Sequence, residues 1–131
     1  MNKLKYILIL FFGLGVFSVK GQDLLLLKSA ALKTTDSVSV YKPASYDVKV
    51  NYPVVYLLHG HSANYKTWAR LADLQSMADT YKFIVVCPDG LKRSWYMNSP
   101  DPDSTQYEDF FMKELMPKIN STYKTDQAKV F

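Results

Sequence analysis

Apolar positions along the chain alternate between two spacings. Val54–Leu58 and Phe83–Cys87 are apolar at every residue, as in strands of a parallel sheet covered by helices on both faces. Between them, Trp68, Leu71, Ala72, Leu74, Met77, Ala78 and Tyr81 recur every three or four residues, and this spacing predicts one amphipathic helix with a single buried stripe. Tyr107–Tyr123 repeats the helical pattern, with Phe110, Phe111, Leu115 and Ile119 on or near one side. Glu114 and Lys118 stand in the favourable i,i+4 order, and Pro117 predicts a kink or an early end.

The segments around these elements carry strand and turn signals. Asp23–Pro43 reads as two exposed strands: LLLLKSAAL, a turn at Thr34-Thr35-Asp36, then alternation over Val38–Tyr41 closed by Pro43. Tyr52-Pro53 opens the next strand, with proline where a missing N–H does least harm. Pro88-Asp89-Gly90 is a turn tripeptide, and Lys129-Val130-Phe131 looks like the opening of a further strand. Alternation of buried strands with amphipathic helices predicts the α/β class, as a doubly wound, mostly parallel sheet with an antiparallel pair at its start.

The first 21 residues have the form of a cleaved export signal. Lys3 and Lys5 precede the apolar stretch Ile7–Phe17, and Gly21 supplies a small residue for cleavage. The apolar run is shorter than the ~20 residues that span a bilayer, and the one cysteine, Cys87, is too far away for a lipid anchor at the cut. The expected mature protein is therefore secreted or periplasmic with no stable membrane anchor, and residues 22–131 form one domain.

Export also changes the charge. The chain has 16 Lys and Arg against 12 Asp and Glu, and removing Lys3, Lys5 and Lys20 leaves 13 against the same 12. That near-balance gives no ground for a nucleic-acid or acidic-membrane partner. Cys87 has no partner for an internal disulfide and sits in an apolar strand, so it reads as a buried small residue.

In an open parallel sheet, ligands bind outside the carboxyl ends of the strands. His59–Asn64, Asp89–Asn98 and whatever follows Phe131 should share that edge. At His59-Gly60-His61, glycine permits a sharp turn that exposes backbone amides, and the His61 amide with Gly60 is the candidate oxyanion site. Gly60-His61-Ser62-Ala63-Asn64 is an incomplete G-x-S-x-G. The last glycine is missing and no histidine follows His61, whereas this type of triad runs serine, acid, histidine. Ser62 is therefore read as a substrate contact rather than the nucleophile, and His59 and His61 as local hydrogen-bonding groups. Trp95 and Tyr96, ringed by polar residues within the long segment Leu91–Gln106, are read as a substrate-binding wall. Asp101 and Asp103 lack the spacing of a calcium loop, so no metal is expected. Neither sheet-edge turn has a glycine-rich phosphate loop, which argues against a nucleotide.

YPVVYLLHGHSANYKTW, FIVVCPDG, SWYMNS and YEDFFMKELMPKINSTY occur in that order. With the early strand SVSVYKPASYD, they resemble the esterase family that includes esterase D (S-formylglutathione hydrolase), the tributyrin and feruloyl esterases and the antigen 85 mycolyltransferases. The resemblance covers about residues 28–131. It implies an α/β-hydrolase fold and a serine esterase or acyltransferase without a cofactor, acting on a small-molecule or carbohydrate-linked ester. It also implies that the amide after Gly60, that of His61, donates to the oxyanion and that the loop of Trp95 and Tyr96 borders the active site. In the family, the nucleophile follows the strand that Lys129-Val130-Phe131 would begin, and the acid and histidine come later. The expectation is thus a chain cut before its nucleophile elbow, with no catalytic triad of its own. It would be inactive alone and self-associate through a free sheet edge. The competing expectation is a non-catalytic or carbohydrate-associated module that keeps the hydrolase frame.

Overall fold

A computed structural model describes residues 21–131. The expected signal segment, apart from Gly21, lies outside the described residues. Five strands form one sheet in the order β1-β2-β4-β3-β5, with β1 at Gln22–Ser29, β2 at Thr34–Tyr41, β3 at Tyr52–Tyr56, β4 at Ile84–Pro88 and β5 at Thr125–Val130. The first two strands pair antiparallel, and β2 joins β4 antiparallel. β3 is parallel to both β4 and β5.

The β1–β2 turn lies earlier than the polar triplet suggested. Ala30–Lys33 makes the reversal, with Lys33 at φ 57° and the Leu32 amide donating to Ser29 Oγ at 2.9 Å. Burial of Leu32 in the core favours this earlier turn and places Thr34-Thr35-Asp36 inside β2. Nor is β2 exposed: Val38, Val40 and Tyr41 are all buried. In β1, Leu25 and Leu27 pack on the core while Leu24 and Leu26 face out.

Helices cover both faces of the sheet. The single helix expected over Trp68–Tyr81 is two, α1 at Thr67–Leu71 and α2 at Leu74–Tyr81. The break arises because the Asp73 carboxylate accepts the Ser76 amide at 3.0 Å, an N-cap that starts a new helix. The apolar stripe is split accordingly. Leu74 and Ala78 pack against Tyr41, Val85 and Cys87, whereas Leu71 and Tyr81 are exposed. These helices sit over β2 and β4, so Val55 and Leu57 on that side of β3 are only half-buried, while Tyr56 is half-buried on the other face, edge-on to Phe111.

On the other face runs α3 at Tyr107–Asp109, a π-helical stretch at Phe110–Leu115, and α4 at Met116–Thr122. Pro117 has no N–H for the carbonyl four residues back, and the helix accommodates it with a widened π turn directly ahead rather than an early end. Tyr107, Phe110, Leu115 and Ile119 are fully buried with Val38, Val40, Val54, Ile84 and Val86. Glu114 does not pair with Lys118; its Oε1 accepts the Ala31 amide at 3.1 Å. The i,i+4 ion pair on this rod is Asp109 with Lys113, at 2.8 Å.

β5 begins at Thr125, ahead of the Lys129 start read from the sequence. Its middle residues face solvent at the sheet edge, so their polarity hid the strand. Phe131 continues the ladder: its amide donates to Val54 O at 2.9 Å, and the Tyr56 amide donates to Phe131 O at 2.8 Å. With β4 on one side of β3 and β5 on the other, the chain reverses direction across the sheet at β3. The loop leaving β3, the loop leaving β4 and Phe131 all lie at that carboxyl edge, where a ligand crevice is expected.

Candidate active-site edge

The segment leaving β3 is held carbonyl by carbonyl. Trp68 Nε1 donates to Leu58 O at 3.1 Å, and the Tyr96 hydroxyl donates to His59 O at 2.7 Å. The Ala63 amide donates to Gly60 O at 3.2 Å. The His59 side chain is 2 % exposed, and its Nε2 accepts the Gly90 amide at 2.7 Å. Its Nδ1 lies 2.8 Å from Gly60 O. The two sheet-edge loops are therefore directly joined, as their positions after β3 and β4 required.

The His61 amide follows this fixed carbonyl, and among the described residues it has no hydrogen-bond partner. It lies well beyond β3, outside the strand ladder. Gly60, however, is not the conformational hinge the sequence suggested. Its φ is not positive, and a Cβ there would meet nothing within 4 Å. The left-handed residue is Ser62, at φ 59°. The glycine that packing requires is Gly90, where a Cβ would run into the Tyr96 phenol ring.

A cavity of about 250 Å³ opens between the two loops, lined by His59, Gly60, His61, Gly90, Trp95 and Tyr96 among others. The structure thus brings four of the five sequence-selected residues to one cavity. The aromatic pair divides its work. Trp95 is 70 % exposed and stacks on His61, with centroids 5.8 Å apart and planes 22° apart. Tyr96 is turned inward, edge-on to Tyr107 at 5.1 Å. Both adopt left-handed φ, 52° and 59°, so the loop turns twice in succession at its aromatic tip. The loop is ordered by its own polar groups: Ser94 Oγ bonds Gly90 O and accepts the Tyr96 amide at 3.1 Å. Asn98 exchanges two bonds with Asp109, at 3.1 and 3.0 Å.

Ser62 lines an adjoining cavity of about 340 Å³ with Asn64, Asp36, Asp89 and Lys92. It is not flanked as an elbow serine would be. Five residues separate it from the end of β3, α1 starts only at Thr67, and among the described residues no histidine nitrogen bonds its hydroxyl.

Asp36 was not selected from the sequence, where it read as part of a turn. It is 1 % exposed, and both carboxyl oxygens lack a hydrogen-bond partner among the described residues. Burial first, and the nearby negative charge of Asp89 second, push its pKa up to about 8. A signal was present: Asp36, Val38 and Val40 share one parity, the parity that faces the core. Asp101 and Asp103 belong to a surface turn in which the Asp103 amide donates to Asp101 Oδ1 at 2.9 Å. Among the described residues no group of three or more His, Cys, Asp or Glu is placed to hold a metal.

The model of the family described as "Putative esterase" matches residues 29–130. The chain belongs to that esterase family. No curated protein matches it. Among solved structures, a ferulic acid esterase is similar at 25 % identity and a TM-score of 0.69, over 85 % of this chain and 47 % of that one. An S-formylglutathione hydrolase from Agrobacterium tumefaciens is similar at 20 % identity and a TM-score of 0.74, with the same coverage. The Staphylococcus aureus fluorophosphonate-binding serine hydrolase F is similar at 19 % identity and a TM-score of 0.70, over 84 % and 45 %. The chain thus has the α/β-hydrolase fold and spans about half the length of these structures. Among its described residues no helix is long and apolar enough to cross a membrane.

Proposed function

We propose that this chain is the oxyanion-binding half of an exported serine esterase, whose nucleophile, acid and histidine are encoded beyond Phe131. The observation that carries this reading is the His61 amide, without a hydrogen-bond partner among the described residues, at the same sheet edge to which Phe131 leads. A chain continuing past Phe131 leaves the sheet alongside Tyr56, at the carboxyl edge of β3 from which the His59–Asn64 loop also departs, and a strand-to-helix turn there would present a serine.

In the proposed reaction the serine oxygen attacks an ester carbonyl and the histidine takes its proton. The His61 N–H then donates to the oxygen that becomes negative, an interaction whose loss typically costs about 10²–10³ in rate. The exposed Trp95–His61 pair forms the wall against which the ester lies, with Ser62 at the rim. The substrate is a small-molecule or carbohydrate-linked ester: its C–O bond breaks as the histidine returns the proton to the departing alcohol, and water or another alcohol then takes the acyl group from the serine.

The test is hydrolysis of p-nitrophenyl acetate by residues 22–131 and by the protein that includes the downstream coding sequence. The shorter protein is expected to show no turnover above background and the longer one to hydrolyse the ester. Turnover by the shorter protein that is abolished by Ser62→Ala would overturn the assignment. Export is tested separately by sequencing the secreted protein's N-terminus, expected at Gln22.

A further inference from the structure

We propose that His59 is a positioning residue that fixes the direction of the His61 N–H through its tautomer. The Gly90 amide can only donate, so the 2.7 Å contact with His59 Nε2 requires a lone pair on that nitrogen. A neutral imidazole with Nε2 as acceptor carries its proton on Nδ1. That proton is donated to Gly60 O, which lies 2.8 Å from Nδ1, and the Ala63 amide holds the same oxygen from a second direction. The Gly60–His61 peptide is trans, so its N–H points opposite to its carbonyl. Holding Gly60 O against the His59 ring therefore turns the His61 N–H away from that ring.

The ring has little freedom to do otherwise. Its side chain is 2 % exposed, Asp89 Oδ1 lies 3.6 Å from Nε2, and the Tyr96 ring meets it edge-on at 6.0 Å. The Tyr96 hydroxyl also pins the His59 carbonyl. A chain of contacts thus runs from the Gly90 amide on one loop through an imidazole to a peptide plane on the other. Gly90 sets the tautomer, the tautomer sets the carbonyl, and the carbonyl sets the amide. That the directed N–H serves an oxyanion rests on the esterase reading; the tautomer and the direction do not.

Nuclear magnetic resonance on the full chain tests this without an enzyme assay. Long-range nitrogen–proton spectra of the His59 ring should show Nδ1 protonated and Nε2 bare, and an Nε2-protonated ring would overturn the proposal. The residual dipolar coupling of the His61 N–H is then compared in wild type, His59→Asn and His59→Gln. Asparagine keeps a donor near the Nδ1 position, while glutamine keeps an acceptor near Nε2 and loses the donor. The coupling should be retained in His59→Asn and collapse or change sign in His59→Gln. An unchanged coupling in both variants would contradict the proposal. Failure of the complete gene product to hydrolyse esters would remove the oxyanion reading and leave these outcomes unaffected.

Discussion

Tyr96 and His59 are joined twice, once by a 2.7 Å hydrogen bond from the phenol to the His59 carbonyl and once by an edge-on ring contact at 6.0 Å. The bond spans two loops that leave different strands, so it ties together the two walls of the cavity that both residues line. Tyr96→Phe keeps the ring and removes the donor. It should cost about 1 kcal/mol, the usual worth of one such bond, measured as a lower urea midpoint by tryptophan fluorescence.

The two glycines of the site should respond in opposite ways. Gly60→Ala adds a methyl into open space and should change stability by less than about 0.5 kcal/mol. Gly90→Ala drives a methyl into the Tyr96 ring and should cost about 1–3 kcal/mol, the range for overpacking. Equal costs, read from paired denaturation curves, would contradict the assignment of Gly90 as the packing glycine.

Asp36 makes stability depend on pH. Its carboxyl titrates near 3.8 when exposed and near 8 in the fold, so between those values the folded chain holds a proton that the unfolded chain has lost. Its contribution is present below 3.8, falls as pH rises by at most about 1.4 kcal/mol per unit, and is gone above 8. Asp36→Asn cannot titrate. The variant should gain on wild type steadily from pH 4 to pH 8 in thermal melts, and a gap that does not widen would refute the assignment.

Cys87 should be chemically silent. It is 1 % exposed, and burial pushes its thiol up to about 12, so thiolate is scarce at pH 8. A disulfide reagent should react with it only as fast as the chain unfolds. Prompt stoichiometric reaction in native buffer would count against the packed β4 core.

The sheet was legible where burial and period agreed. Val54 and the run Ile84–Cys87 announced buried strands, and the order of strands and helices announced helices on both faces. The N-terminal antiparallel pair and the meeting of the β3 and β4 loops also followed from sequence order. Legibility failed where a single side chain redirected the backbone. Asp73 split a helix that periodicity had drawn whole, and burial of Leu32 moved a turn away from the polar triplet after it. β5 was hidden because an edge strand turns polar residues to solvent. Gly60 looked like the hinge because it follows a strand, but Gly90 is the glycine that packing demands. That distinction depends on where Tyr96 arrives from, which no local pattern contains.

The most direct test of the account is a fluorophosphonate probe applied to the protein as its source cell secretes it, with the modified residue mapped by mass spectrometry. The account predicts one adduct, on a serine C-terminal to Phe131, and none on Ser62. An adduct on Ser62, or a secreted protein that takes up no probe at all, would contradict it.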